Sequence, residues 1–103
     1  MDIITKNCTY TITPSHFGGM LNMMHEDGYD KLNLSYLNPE HLNVFLTAST
    51  ELDTIQTQSV VGAFQIAHYL NSIIKMKLFA QELESRIKQC DYSNIKEIYM
   101  MFK

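Results

Sequence analysis

The sequence predicts an α+β fold, with a small antiparallel sheet packed against one short helix and a long, breakable helical region, all in one compact domain over residues 1–103. Three observations carry this expectation. Residues 3–12 and 31–37 alternate apolar and polar side chains with the period of two that marks half-buried strands. Residues 53–88 repeat apolar side chains at helical spacing, and turn chemistry at Thr13-Pro14-Ser15, Gly28 and Asn38-Pro39 separates the segments. With 103 residues, 46% of them hydrophobic, four glycines and two prolines, the chain has the composition of one folded domain and no room for a second core.

In "IITKNCTYTI", residues 3–12, Ile4, Cys8, Tyr10 and Ile12 share one face and Thr5, Asn7, Thr9 and Thr11 the other, which predicts one strand with a buried side. Thr13-Pro14-Ser15 offers a hydroxyl cap beside a proline that needs no helical donor, so a short helix is expected to run to about His25. Phe17, Met20, Leu21 and Met24 form its apolar stripe, and Gly28 supplies a left-handed stop. Gly18 and Gly19 each weaken that helix by about 1 kcal/mol relative to alanine.

"KLNLSYL" sets Leu32, Leu34 and Tyr36 against Lys31, Asn33 and Ser35, a second half-buried strand. Asn38-Pro39-Glu40 fits either a cap leading into a helix over residues 39–48 or a loop returning into a strand "LNVFLTA". The β-branched and aromatic content of Val44, Phe45 and Thr47 tips the expectation to the strand.

From Asp53 to Lys88 the spacing is helical but its phase changes. At about 100° per residue, Ile55, Ala63, Ile66, Ala67, Leu70, Ile73 and Ile74 form one stripe, whereas Met76, Phe79, Leu83 and Ile87 lie roughly half a turn away. The helix therefore breaks near residues 71–77, or its halves face different neighbours. The closing "DYSNIKEIYMMFK" fits a helix capped by Ser93 or a strand over residues 94–102; a strand there would give the order of a ferredoxin-like split βαβ sandwich.

The functional reading turns on "TIQTQSVVGAFQIAHYLNSII", residues 54–74, which holds no formally charged side chain. A membrane span is excluded because Thr54, Gln56, Thr57, Gln58, Ser59, Gln65, His68, Asn71 and Ser72 would be costly in hydrocarbon. One side of this helix serves the core. On the other, Val61, Phe64, His68 and Ser72 lie close together, with Thr57, Gln65, Asn71 and Lys75 around them. Such an apolar centre without charge has the composition of an interface core. Thr57, Val61, Phe64, Gln65, His68, Ser72 and Lys75 are accordingly the expected partner-binding residues, for another protein or for a second copy in a homodimer, with Gly62 and Ala63 admitting a close backbone. The competing expectation is that the protein's own C-terminal segment covers this face.

The remaining features narrow the function class. A net charge of −3 lacks the concentrated basic field that nucleic acid requires. The alternative reading, a nucleic-acid-associated regulator, would need a dimer to gather Lys75, Lys77, Arg86 and Lys88 on one face. "HEDGYD" places His25, Glu26, Asp27 and Asp30 close together, with His16 and His41 in flanking segments, but without the spacing of a known metal motif. Ser15, His25 and Asp30, or a cysteine with a histidine, could be combined for nucleophilic catalysis only without any recognised nucleophile context. No metal or cofactor is expected.

Neither a secretory signal nor a lipidation motif stands at either end, and Cys8 and Cys90 read as separate thiols in a reducing cytoplasm, Cys8 on the apolar face of its strand; a Cys8–Cys90 bridge is the alternative. Lysine outnumbers arginine seven to one, and Asn, Ile and Tyr are abundant, as in the AT-rich genome of a phage, another mobile element or a low-GC bacterium. The expected function is thus a non-enzymatic protein-binding regulator or inhibitor. A small metal- or thiol-dependent enzyme ranks third.

Overall fold

The chain opens with a hairpin in the computed structural model, which describes residues 1–48 and 51–88. Strand β1 (Asp2–Ile4) turns back into β2 (Thr9–Thr11), with Ile3 opposite Tyr10. The single strand expected over residues 3–12 is therefore two, because Thr5 builds a turn. Its hydroxyl donates to the Cys8 carbonyl at 2.7 Å and accepts from the Cys8 amide at 3.1 Å. The turn also resets the facing: Ile3 rather than Ile4 enters the core, and Cys8 is an exposed free thiol rather than a core side chain.

A 3₁₀ turn, Pro14–His16, and helix α1 (Gly19–Glu26) replace the one continuous short helix. Gly18 at φ 67° and Gly19 at φ 55° divide them, since both take a positive φ where one continuous helix needs a negative one. Phe17 and Leu21 are buried, whereas Met20 is 41% exposed. Gly28, at φ 94°, makes the expected left-handed turn. Strand β3 (Lys31–Asn33) then lies beside β1 and parallel to it, with α1 in the crossover, so the sheet β2-β1-β3 is mixed rather than antiparallel. Leu34 continues into the core, but Tyr36 is turned outward by the bend at residues 34–37.

Helix α2 (Pro39–Thr47) stands where a strand was expected. Capping decides it: the Asn38 side-chain oxygen accepts from the amides of Glu40 and His41 at 2.9 and 3.2 Å, and Pro39 starts the helix without an amide to satisfy. Leu42, Phe45 and Leu46 are buried at helical spacing while Asn43 and Thr47 face solvent, a pattern that also suits a short apolar strand until the cap is counted. With a helix here, the described residues do not follow the ferredoxin-like order. The helix-or-strand question at residues 94–102 lies outside the described residues.

Helices α3 (Thr57–Tyr69) and α4 (Ile73–Lys88) form an antiparallel hairpin whose break, at residues 70–72, falls at the start of the segment where the apolar phase changes. Asn71 takes the left-handed conformation, φ 51°, that a three-residue reversal needs. Ala63, Ile66, Ala67 and Leu70 bury one stripe, and Phe79 and Leu83 bury the other. Ile73 and Ile74 do not join the first stripe: the break rotates α4, leaving them 56% and 54% exposed. Buried side chains from β1 to α4 make one core, in which the Phe17 and Phe45 rings meet at 5.3 Å. Each large side chain fully enclosed there contributes about 1.5–3 kcal/mol. No helix among the described residues is long and apolar enough to cross a membrane.

Candidate protein-binding surface

The seven residues expected to form a partner-binding face do not share one surface. Val61 is fully enclosed in the core, and Thr57 and Ser72 are buried. Phe64 packs against the core from a half-buried position, and Lys75 is also half-buried. Gln65 and His68 are the two that stand exposed. The close approach expected at Gly62 does occur, but its occupant is α2 of the same chain: a Cβ on Gly62 would lie 2.0 Å from His41 Nδ1. An interior helix glycine, which costs about 1 kcal/mol relative to alanine, is thus the seat of the His41 ring. Above it, Leu37, His41, Gln65 and Tyr69 line a shallow cleft of about 200 Å³.

One end of the α3–α4 hairpin is closed by Arg86. Its guanidinium donates to the carbonyls of Leu52 and Ile55, both at 2.7 Å, to the Thr57 hydroxyl at 2.9 Å and to Glu82 Oε1 at 3.0 Å. That geometry ties the loop before α3 to the last turns of α4, and Arg86 faces inward rather than toward a ligand. Lys75 behaves similarly. Its ammonium donates to the Ala48 carbonyl at 2.6 Å and lies 5.0 Å from the centre of the Phe17 ring, and burial holds it below the ordinary lysine pKa. Of the four basic residues that the nucleic-acid reading gathers on one face, Lys77 and Lys88 are the exposed ones.

The opposite end of the hairpin is built differently. The carbonyl of Leu70 accepts from the Met20 amide at 3.1 Å, and the Ser72 hydroxyl, fully buried, donates to the Phe17 carbonyl at 2.5 Å. Gly19 lies so close to the turn that a Cβ there would sit 1.9 Å from the Asn71 carbonyl oxygen. The glycine pair "FGGM" is therefore the seat of the α3–α4 turn. Exposed side chains adjoin this anchored turn: Ile73 and Ile74 at the start of α4, Met20, whose amide is bonded to it, with Met23 one helical turn along α1, and Tyr69 just before it, whose hydroxyl meets that of Tyr36 at 2.9 Å. That bond raises the Tyr36 phenol above the ordinary tyrosine pKa. All six side chains are more than two-fifths exposed.

Pattern reading missed this cap for a physical reason. Ile73 and Ile74 look like core residues until the turn rotates α4, and Met20 looks like part of a helical stripe until the glycines delay the start of α1. The usable signal is the glycine pair, which weakens a helix by itself but also admits the close approach of a turn.

No family model, curated protein or solved structure matches the chain. Among the described residues, no three His, Cys, Asp or Glu side chains converge as metal ligands. His25, Glu26, Asp27 and Asp30 are all exposed at and beyond the end of α1, and Cys8 lines a small cleft with Tyr10 and Glu40. Cys90 lies outside the described residues.

Proposed function

We propose that this chain is a non-enzymatic regulator or inhibitor that works by binding protein through the apolar cap at the α3–α4 turn. The reading rests on one observation: Ile73 and Ile74 are more than half exposed beside a turn whose backbone is fixed by Met20, Ser72 and the Gly19 contact. A surface already rigid in the free protein loses little conformational entropy on docking, and exposed apolar side chains then gain from leaving water. The cap takes over the role first assigned to the α3 face, of which Gln65 and His68 remain accessible nearby. Tyrosine and methionine are also the residues that interfaces favour over the rest of a protein surface.

Affinity capture from the cells that make the protein tests it, using wild-type and Ile74→Asp baits whose circular dichroism and melting match. A protein, including an untagged copy of this chain, retained by the wild type and lost by Ile74→Asp is the expected result. Identical retention by both baits would contradict the reading.

A further inference from the structure

Two grooves lie along α4, and they treat charge differently. The first, of about 370 Å³, is lined by Ile74, Lys75, Lys77, Leu78 and Gln81 together with His16 from the 3₁₀ turn. Positions 74, 77, 78 and 81 follow one another at helical spacing, so one face of α4 supplies most of it. Ile74 Cδ1 lies 3.7 Å from where a Cβ on Gly18 would stand, which sets the chain beside His16 against α4 here. The second groove, of about 350 Å³, is lined by Gln81, Glu84, Ser85 and Lys88. Its lysine is already answered, since Lys88 Nζ pairs with Glu84 Oε1 at 3.1 Å.

No such acid serves the first groove. None of its described lining residues is acidic, although acids outnumber bases eleven to eight in the chain. The residues three and four positions from Lys77 are Ile73, Ile74, Ala80 and Gln81, and among the described residues Lys77 joins no ion pair. Beside it, the Lys75 ammonium is held by the Ala48 carbonyl near the Phe17 ring. The groove therefore joins apolar surface, with Ile74 54% exposed, to positive charge that its own helix does not balance. Such a field favours an acidic partner. His16, Ile74, Lys77 and Gln81 are all exposed, so this is an open trough with room for one or two side chains. It cannot enclose the roughly 70–90% of a small ligand's surface that a dedicated pocket buries, whereas a peptide side chain, held by chain on either side, needs no enclosure.

We infer that the groove takes a segment of a partner protein in which an apolar side chain is flanked by carboxylates. The apolar side chain rests on Ile74 and Leu78, and the carboxylates meet the Lys77 ammonium and a ring nitrogen of His16. The inference rests on the protein-binding reading and names the chemistry of its partner.

Panning a random peptide library on the immobilised full chain, followed by fluorescence anisotropy of the selected peptides in solution, tests it. The selected peptides are expected to carry Asp or Glu beside a large apolar residue. Their affinity should fall about tenfold or more with Ile74→Asp, as loss of an anchor does. It should fall several-fold with Lys77→Glu and with added salt. Lys88→Glu, an equal change of charge at the lysine already paired, should leave it within about twofold. All three substituted side chains are exposed, so the core is untouched. No enrichment, peptides without an acidic bias, or acidic peptides that respond alike to Lys77→Glu and Lys88→Glu overturn the inference. Self-association that excludes the peptides and is lost with Lys77→Glu makes a second copy the occupant and overturns it too. If the inference fails but Ile74→Asp still abolishes capture of a cellular protein, the partner's charge is wrong and the protein-binding reading stands. If neither peptide binding nor capture depends on Ile74, both fail.

Discussion

The two ends of the α3–α4 hairpin are both held by side chains bonded to backbone carbonyls, yet they present opposite surfaces. At the Arg86 end, one guanidinium satisfies Leu52, Ile55, Thr57 and Glu82. At the turn end, Ser72 and the Met20 amide anchor the reversal, yet Ile73, Ile74, Met20 and Met23 are left in water. Rigidity alone therefore does not mark a functional surface. Among the described residues, what separates the ends is degree: the second sets four exposed apolar side chains beside a fixed backbone, whereas Ile87, 39% exposed, is the one large apolar side chain exposed near Arg86.

The sharpest way to break the closed end is Arg86→Met. It removes four donated bonds and leaves the loop carbonyls without their donor, so a loss of about 3 kcal/mol is expected in urea unfolding. At the turn end, Gly19→Ala places a Cβ against the Asn71 carbonyl at a positive φ and should cost about 2 kcal/mol. Gly28→Ala is its control. Gly28 also has positive φ, but a Cβ there meets nothing within 4 Å, so only the backbone penalty of about 1 kcal/mol should appear.

Between the ends, Gly62→Ala sets helix propensity against the His41 ring. A net loss of about 1 kcal/mol is expected, and it should change sign in a His41→Ala background, where the added methyl has room and the helix gains from alanine. Urea unfolding of the four-member cycle reads both effects. The smallest effect concerns Lys75. Burial lowers its folded pKa below the ordinary 10.5, so between those values the unfolded chain binds more protons and stability rises with pH. Wild-type stability relative to Lys75→Met should therefore climb as pH approaches 10.5, and a flat difference would show that the ammonium is effectively hydrated.

These contrasts also explain how much of the molecule could be read in advance. The α+β class, the left-handed Gly28 and the interruption after Leu70 follow from spacing and turn chemistry that act locally. Helix α2 departs from the strand expected there because Val44, Phe45 and Thr47 favour strands on average, whereas the Asn38 side chain satisfies two amides at this particular start. Thr5 likewise cut one alternating run into a hairpin through bonds to a residue three positions away. The candidate surface was the least legible part. Its position depends on a contact between Gly19 and Asn71, more than fifty residues apart, which no periodicity encodes.

A single comparison tests the central claim most directly. Ile73 and Ile87 are both exposed isoleucines of α4, one at the turn and one near the Arg86 end, so Ile73→Asp and Ile87→Asp make matched changes in surface chemistry at the two ends. With both variants assayed for self-association and partner capture, and both shown to melt like the wild type, the account predicts that Ile73→Asp loses binding and Ile87→Asp keeps it. Equal behaviour of the two variants, or loss confined to Ile87→Asp, would contradict it.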